Sequence, residues 1–143
     1  MRKLFVTISV LSLCVIALGC AGEERDGLHP LSGSATFDGE PIDLGSIAFI
    51  PAGGGGAGSQ RASGGVIQNG TYEIPREKGL NAGMYRVEVR WLKKTGKILT
   101  DPMSGDKYDE RKEALPPKFH AKSDLTIEIP APEDKHDLNL TAK

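Results

Sequence analysis

Between residues 84 and 92 every second side chain is apolar. Tyr85, Val87, Val89 and Trp91 alternate with Met84, Arg86, Glu88 and Arg90. Successive side chains leave an extended backbone on opposite faces, so this period of two predicts a strand with one dry and one wet face. Such a strand covers a core on one side only. Upstream, Val66-Ile67-Gln68 and Thr71-Tyr72-Glu73-Ile74 flank Asn69-Gly70. Asn-Gly accepts the positive φ angles of a two-residue turn, which predicts a β-hairpin there. A second turn over 79–83 leads into the long strand.

The same one-sided pattern recurs along the chain. Residues 31–37 set Leu31, Gly33, Ala35 and Phe37 against Ser32, Ser34 and Thr36, and Asp38-Gly39-Glu40-Pro41 supplies a turn. Strands are predicted at 31–37, 46–50, 61–68, 71–74, 84–92, 124–129 and 136–142. Residues 52–59 form a glycine-rich loop. The 18 glycines and 9 prolines of the 143-residue chain fit a fold with many turns. Seven one-sided strands are buried most economically in two packed layers, so the expected fold is all-β, a seven-stranded antiparallel β-sandwich over 31–143. Residues 93–123 show no strand pattern. They are expected to form a functional or mobile loop, with a short helical turn over 109–114.

The N-terminus stands apart from the fold. Arg2 and Lys3 precede an uncharged apolar run over 4–18. At ~1.5 Å per residue that run is shorter than the roughly 30 Å hydrocarbon layer, which disfavours a stable membrane span. Ala17-Leu18-Gly19-Cys20 follows, a small residue directly before a Cys. This resembles a bacterial lipobox, although the usual Leu stands three residues before the Cys and here Ala17 does. The resemblance implies a lipoprotein signal peptide over 1–19, cleaved after Gly19, and lipidation, palmitate included, of Cys20. Two or more acyl chains anchor stably where one is marginal. Residues 20–30 would then be a tether. The ten residues 21–30 reach at most about 35 Å, enough to lift a domain off a lipid surface. The plainer alternative is an ordinary secretory signal with Cys20 incidental.

Removal of the signal would take Cys14 with it and leave no thiol for a disulfide or thiolate metal site. It would also take 18 basic residues to 16 against 19 acidic ones, a formal −3. Nothing in that balance suits nucleic acid.

Chemistry-bearing patterns are sparse. His29, His120 and His136 are the three histidines, and none is paired at a ligand spacing. Asp38, Glu40 and Asp43 could form a weak calcium loop, although acidic residues in such turns mostly serve the turn itself. No Gly-x-Ser-x-Gly elbow is present. The glycines of 53–58 lack the Lys-Ser/Thr and helix of a phosphate loop. Trp91 falls on the apolar face and is expected in the core; exposed at a sheet end, it could stack on a sugar. The charged segment 93–122 could meet a partner or simply be solvated.

Several segments together resemble a family. They are Phe37-Asp38-Gly39-Glu40-Pro41-Ile42, Gly45-Ser46-Ile47-Ala48-Phe49-Ile50-Pro51, Asn69-Gly70-Thr71-Tyr72, the run from Gly79 to Val87, and Leu115-Pro116-Pro117-Lys118-Phe119. This is similar to the planctomycete-type secreted lipoproteins whose domain is carboxypeptidase regulatory-like, that is, a transthyretin-like (prealbumin-like) β-sandwich. The resemblance implies a non-catalytic, cofactor-free interaction or scaffolding module of the cell envelope. It would be held to the membrane through lipid on Cys20, facing the periplasm or on the outer membrane, with an envelope protein or a glycan as partner. The alternative is a carbohydrate- or calcium-binding module. The zinc chemistry of carboxypeptidases has no ligand motif here. The C-terminal Tyr-Arg-Gly-Ser of transthyretin-like hydrolases is replaced by Leu140-Thr141-Ala142-Lys143, and the His-x-His of intradiol dioxygenases is missing. In that family Gly39, Gly70 and Gly83 would sit in turns, and Tyr72 and Tyr85 would pack inward from strand starts with hydroxyls near the rim.

Overall fold

The computed structural model describes residues 27–53 and 60–143. The expected signal segment, Cys20, most of the expected tether and most of the glycine-rich loop lie outside the described residues. Within them the chain is all-β, with nine strands: β1 (Leu31–Phe37), β2 (Glu40–Pro41), β3 (Leu44–Pro51), β4 (Ser63–Gln68), β5 (Thr71–Ile74), β6 (Gly83–Thr100), β7 (Lys107–Glu113), β8 (Thr126–Ile129) and β9 (Leu138–Leu140). The helical content among these residues is three short 3-10 turns, at Arg76–Lys78, Pro117–Phe119 and Pro132–Asp134.

The strands hydrogen-bond in the order β2-β1-β5-β4-β3-β6-β7, with β8 alongside β6 and β9 alongside β1. Two strands change partners along their length. The first half of β1 pairs with β5, and its second half lies between β2 and β9. The first part of β6 lies between β3 and β8, and its last part pairs with β7. Two expectations are thereby corrected. The described strands number nine rather than seven, and the ladder is not wholly antiparallel, because β9 runs parallel to β1.

Turn chemistry sets the register as the sequence predicts. Asn69 and Gly70 both take positive φ (51° and 79°) between β4 and β5, and Asp38 and Gly39 do the same (48° and 82°) between β1 and β2. Both are the left-handed pairs that suit the twist of a tight hairpin. Gly83 also takes a positive φ, 134°, at the start of β6.

The core is one cluster fed by nearly every strand. Tyr85, Val87, Val89 and Trp91 are all buried and meet Ile47 and Phe49 of β3, Ile67 of β4, Tyr72 and Ile74 of β5, and Leu138 and Leu140 of β9. Their odd-numbered spacing matches the pleat, while Arg86, Glu88 and Arg90 face outward. The Leu115-Pro116-Pro117-Lys118-Phe119 segment now has a physical role. Leu115 and Phe119 drop into the core, and Phe119 meets the edge of Phe37 at 5.9 Å. Ser123, the one buried polar residue among the described residues, donates its hydroxyl to the Val87 carbonyl and so ties this segment to β6.

The largest departure from expectation is at 93–113. Instead of a loop with a helical turn, the chain continues β6 for another eight residues to Thr100, turns, and returns as β7. Asp101 builds the turn by accepting the N–H groups of Met103 (2.7 Å) and Ser104 (3.0 Å), and Gly105 takes a φ of 78°. A register shift between Lys94 and Ile98 marks an irregularity in β6, of the kind that raises local twist. The resulting two-stranded ribbon is wet on both faces. Ile98, Met103 and Tyr108 are exposed, Met103 almost completely.

Candidate interaction surfaces

The root of the ribbon is built on Asp43. One carboxylate oxygen accepts the Trp91 indole N–H at 2.7 Å, and the other accepts Arg111 of β7 at 3.1 Å. Arg111 also donates to the Leu92 carbonyl at 2.6 Å, so one guanidinium ties β7 to β6 and to the β2–β3 turn. These bonds, the indole first, hold the Asp43 carboxyl below the usual carboxylate range. Glu113 completes the root. One of its oxygens accepts the Trp91 N–H (3.0 Å) and the Leu115 N–H (3.1 Å). Trp91 itself is 2 % exposed, meets Phe37 edge-on at 6.3 Å, and has the Lys93 ammonium 4.5 Å from its ring centroid. It is a core residue, and its face is not open to a sugar.

The three carboxylates of the sequence-level calcium loop have separate partners. Asp38 accepts the Ala142 N–H at 3.0 Å, Glu40 grips Lys93 with both oxygens at 2.8 and 2.7 Å, and Asp43 serves Trp91 and Arg111. They secure the turn and the ribbon root. Among the described residues no group of three or more His, Cys, Asp or Glu is placed to hold a metal ion. The three histidines are also apart in role. His29 bridges to Leu80, His120 contacts the Leu115 carbonyl at 3.2 Å, and His136 offers its carbonyl to the Tyr72 hydroxyl at 2.7 Å. Both tyrosines of the resemblance do pack inward: Tyr72 is 4 % exposed and Tyr85 fully buried.

A second surface is a shallow groove of about 660 Å³ across the wet face of β1, β5 and β4. Ser32, Ser34, Thr71 and Glu73 line it, Val66 gives it an apolar patch, and Lys135 and Asp137 form one wall. The wall is held down by side chains. Asp137 accepts the Ser34 N–H (2.7 Å) and hydroxyl (2.9 Å), which lower its pKa below the ordinary value. Next to it, burial pulls the His136 imidazole down, and Asp137 partly opposes that shift. Gly33 lets the wall approach: a Cβ there would lie 1.9 Å from the His136 carbonyl oxygen. This combination of hydroxyls, carboxylates and one ammonium can hydrogen-bond a polar, uncharged ligand.

Sequence reasoning found the turn residues and Trp91 but missed the ribbon and the groove wall. The wall brings 135–137 beside Ser32 and Ser34 across about a hundred residues, a juxtaposition no local pattern encodes. The ribbon left a faint signal in Ile98-Leu99-Thr100, the Asp101-Pro102 and Gly105-Asp106 turn residues, and Tyr108. Among the described residues no helix is long and apolar enough to cross a membrane. Comparison with family models, with curated proteins and with solved structures finds no match for the chain.

Proposed function

We propose that the chain is a lipid-anchored, non-catalytic domain of the bacterial cell envelope that works by contact. Its nine strands would enclose the core as a transthyretin-like sandwich, and Cys20 would carry the anchor. The observation that carries this reading is the placement of two features at opposite ends of one strand. The chain enters the domain at His29, bridged to Leu80 just before β6 begins. The exposed ribbon is the far end of that same 18-residue strand. At about 3.3 Å per residue the two are on the order of 50 Å apart. A domain tethered at His29 would therefore hold Ile98, Met103 and Tyr108 away from its point of attachment, where an envelope protein can meet them. These three exposed apolar side chains take no part in the core cluster and are free to serve contact.

The test is a fractionation with a capture. The Cys20→Ala chain is expected to leave the membrane fraction for the soluble periplasm while capturing the same envelope proteins after mild cross-linking as the natural chain. Unchanged membrane fractionation would refute the anchor; equal capture by an unrelated lipoprotein would refute the contact role.

A second reading is favoured by the groove alone: a glycan-binding module in which Ser32, Ser34, Thr71 and Glu73 bond sugar hydroxyls. A glycan array followed by titration of the Glu73→Ala chain separates it from the first, since only the groove reading expects a signal that Glu73→Ala weakens.

A further inference from the structure

Among the described residues the ribbon ends on an unpaired edge. β7 is the last strand in the hydrogen-bonded order, and it is seven residues long, against the two of β2 at the other end. Ala114 donates its N–H to the Trp91 carbonyl on β6 (2.9 Å). Antiparallel pairing alternates inward and outward residues, so Lys112, Glu110 and Tyr108 also turn their backbone groups toward β6. Glu113, Arg111, Asp109 and Lys107 turn theirs outward. Such an edge is a template for another strand unless something blocks it.

The side chains along this edge have a particular symmetry. The sequence Lys107-Tyr108-Asp109-Glu110-Arg111-Lys112-Glu113 is charge-complementary to its own reverse about Glu110. We propose that β7 pairs antiparallel with β7 of a second copy of this chain, with Glu110 on the two-fold axis. In that register Lys107 faces Glu113 of the other copy, Asp109 faces Arg111, and Tyr108 faces Lys112. Every outward-turned backbone group then meets an outward-turned partner, because residues 107 and 113, and 109 and 111, are opposite each other. Opposed Lys–Glu and Asp–Arg pairs favour a sheet register, Asp109 sharing its carboxylate with Lys94 (2.6 Å) and Arg111 its guanidinium with Asp43 (3.1 Å) inside each copy, and a cation beside an aromatic ring adds to it. The one repulsive contact is Glu110 against itself. It is muted within each copy, where Glu110 accepts the Thr95 hydroxyl at 2.7 Å and has the Lys112 ammonium 3.7 Å away. Shifting the register by two residues would instead put Lys107 against Arg111 and Asp109 against itself.

The edge could equally be read as guarded by its charges, since lysines on edge strands discourage pairing. A guard needs only charge. Opposite signs at mirrored positions are what an isologous contact requires, in which residue i meets j and j meets i. The two tethers would leave from the far ends of the shared sheet. This inference rests on the reading of the ribbon as a contact element and names its partner.

The axis makes the test sharp. Residues opposite each other at a non-hydrogen-bonded position lie about 4.5 Å apart at Cα, within disulfide range. Tyr108 and its own copy would be four positions out of register, far beyond it. The full chain carrying Glu110→Cys is expected to form a covalent dimer on mild oxidation in envelope preparations. The chain carrying Tyr108→Cys should cross-link at least tenfold less. Adding Lys107→Glu or Asp109→Arg to the Glu110→Cys chain should each cut the dimer several-fold, because each sets like charges against each other across the axis and leaves the Arg111–Asp43 root in place. No dimer at position 110, or equal dimer at 108 and 110, overturns the proposal. Either result with envelope capture intact would leave the contact role standing and show that the partner is a different chain.

Discussion

Val87→Asp is expected to leave no folded protein at 25 °C. Val87 is fully buried, paired with Phe49 on β3 and held by its own N–H to the Leu125 carbonyl (2.8 Å). An aspartate there meets the apolar core that holds Tyr85, Val89 and Phe49. Burying an unpaired carboxylate forces either a large desolvation cost or protonation well above its normal pKa. Losses of 4–5 kcal/mol are exceptional among substitutions, and this one combines an unpaired charge with lost apolar burial. A whole domain of this size is stable by only about 5–15 kcal/mol. The control is Arg90→Ala on the other face of the same strand. Arg90 is half-exposed and reaches Glu113 at 3.7 Å, a surface pair worth about 0–1 kcal/mol. Circular dichroism melts of the two chains check the contrast. A folded Val87→Asp chain, or equal losses in both, would contradict the assignment of faces.

The second large effect is on contact rather than on stability. Replacing residues 95–110 by a two-residue Asn-Gly turn is expected to abolish capture of envelope partners while shifting the melting temperature by only a few degrees. The ribbon beyond Lys94 contributes no side chain to the core cluster. Its ion pairs, such as Lys94 to Asp109 at 2.6 Å, are exposed and so worth little to the fold. The root is kept, because Arg111, Asp43, Trp91 and Glu113 all lie outside the replaced segment. Capture that survives the shortening, measured by cross-linking in envelope preparations, would place the contact surface elsewhere on the domain.

The contrast between these two experiments follows what the chain makes legible. Tyr85 to Trp91 announce their strand because one face is dry, and dryness is what imposes the period of two. Asn69-Gly70 and Asp38-Gly39 announce their turns because left-handed backbone restricts the residue. The ribbon obeys neither constraint strongly. With water on both faces, Lys93, Lys94, Thr95 and Lys97 are as well placed as any apolar residue, so no alternation appears and a loop is the natural expectation. The irregularity between Lys94 and Ile98 also breaks the phase, separating Ile98-Leu99 from the pattern that ends at Trp91. β2 was missed for a simpler reason: two residues, Glu40 and Pro41, are too few to carry a period. The parallel pairing of β1 with β9 depends on a chain return of about a hundred residues, and the Ser34–Asp137 bonds that fix it are long-range. The carboxylates of Asp38, Glu40 and Asp43 illustrate the limit on sites. Their clustering in sequence suggested a shared ion, whereas in space each is spent on a different donor.

The claim on which the contact reading depends is that residues 93–113 are an ordered ribbon continuing β6. Residue-resolved amide hydrogen exchange on the natural chain measures this directly. Protection is expected to run past Trp91 into Lys93 and Leu99, matched on the returning strand by Tyr108 and Lys112, whose N–H groups face β6. Protection that stops at Leu92, with 93–113 exchanging uniformly at the rate of free peptide, would contradict it.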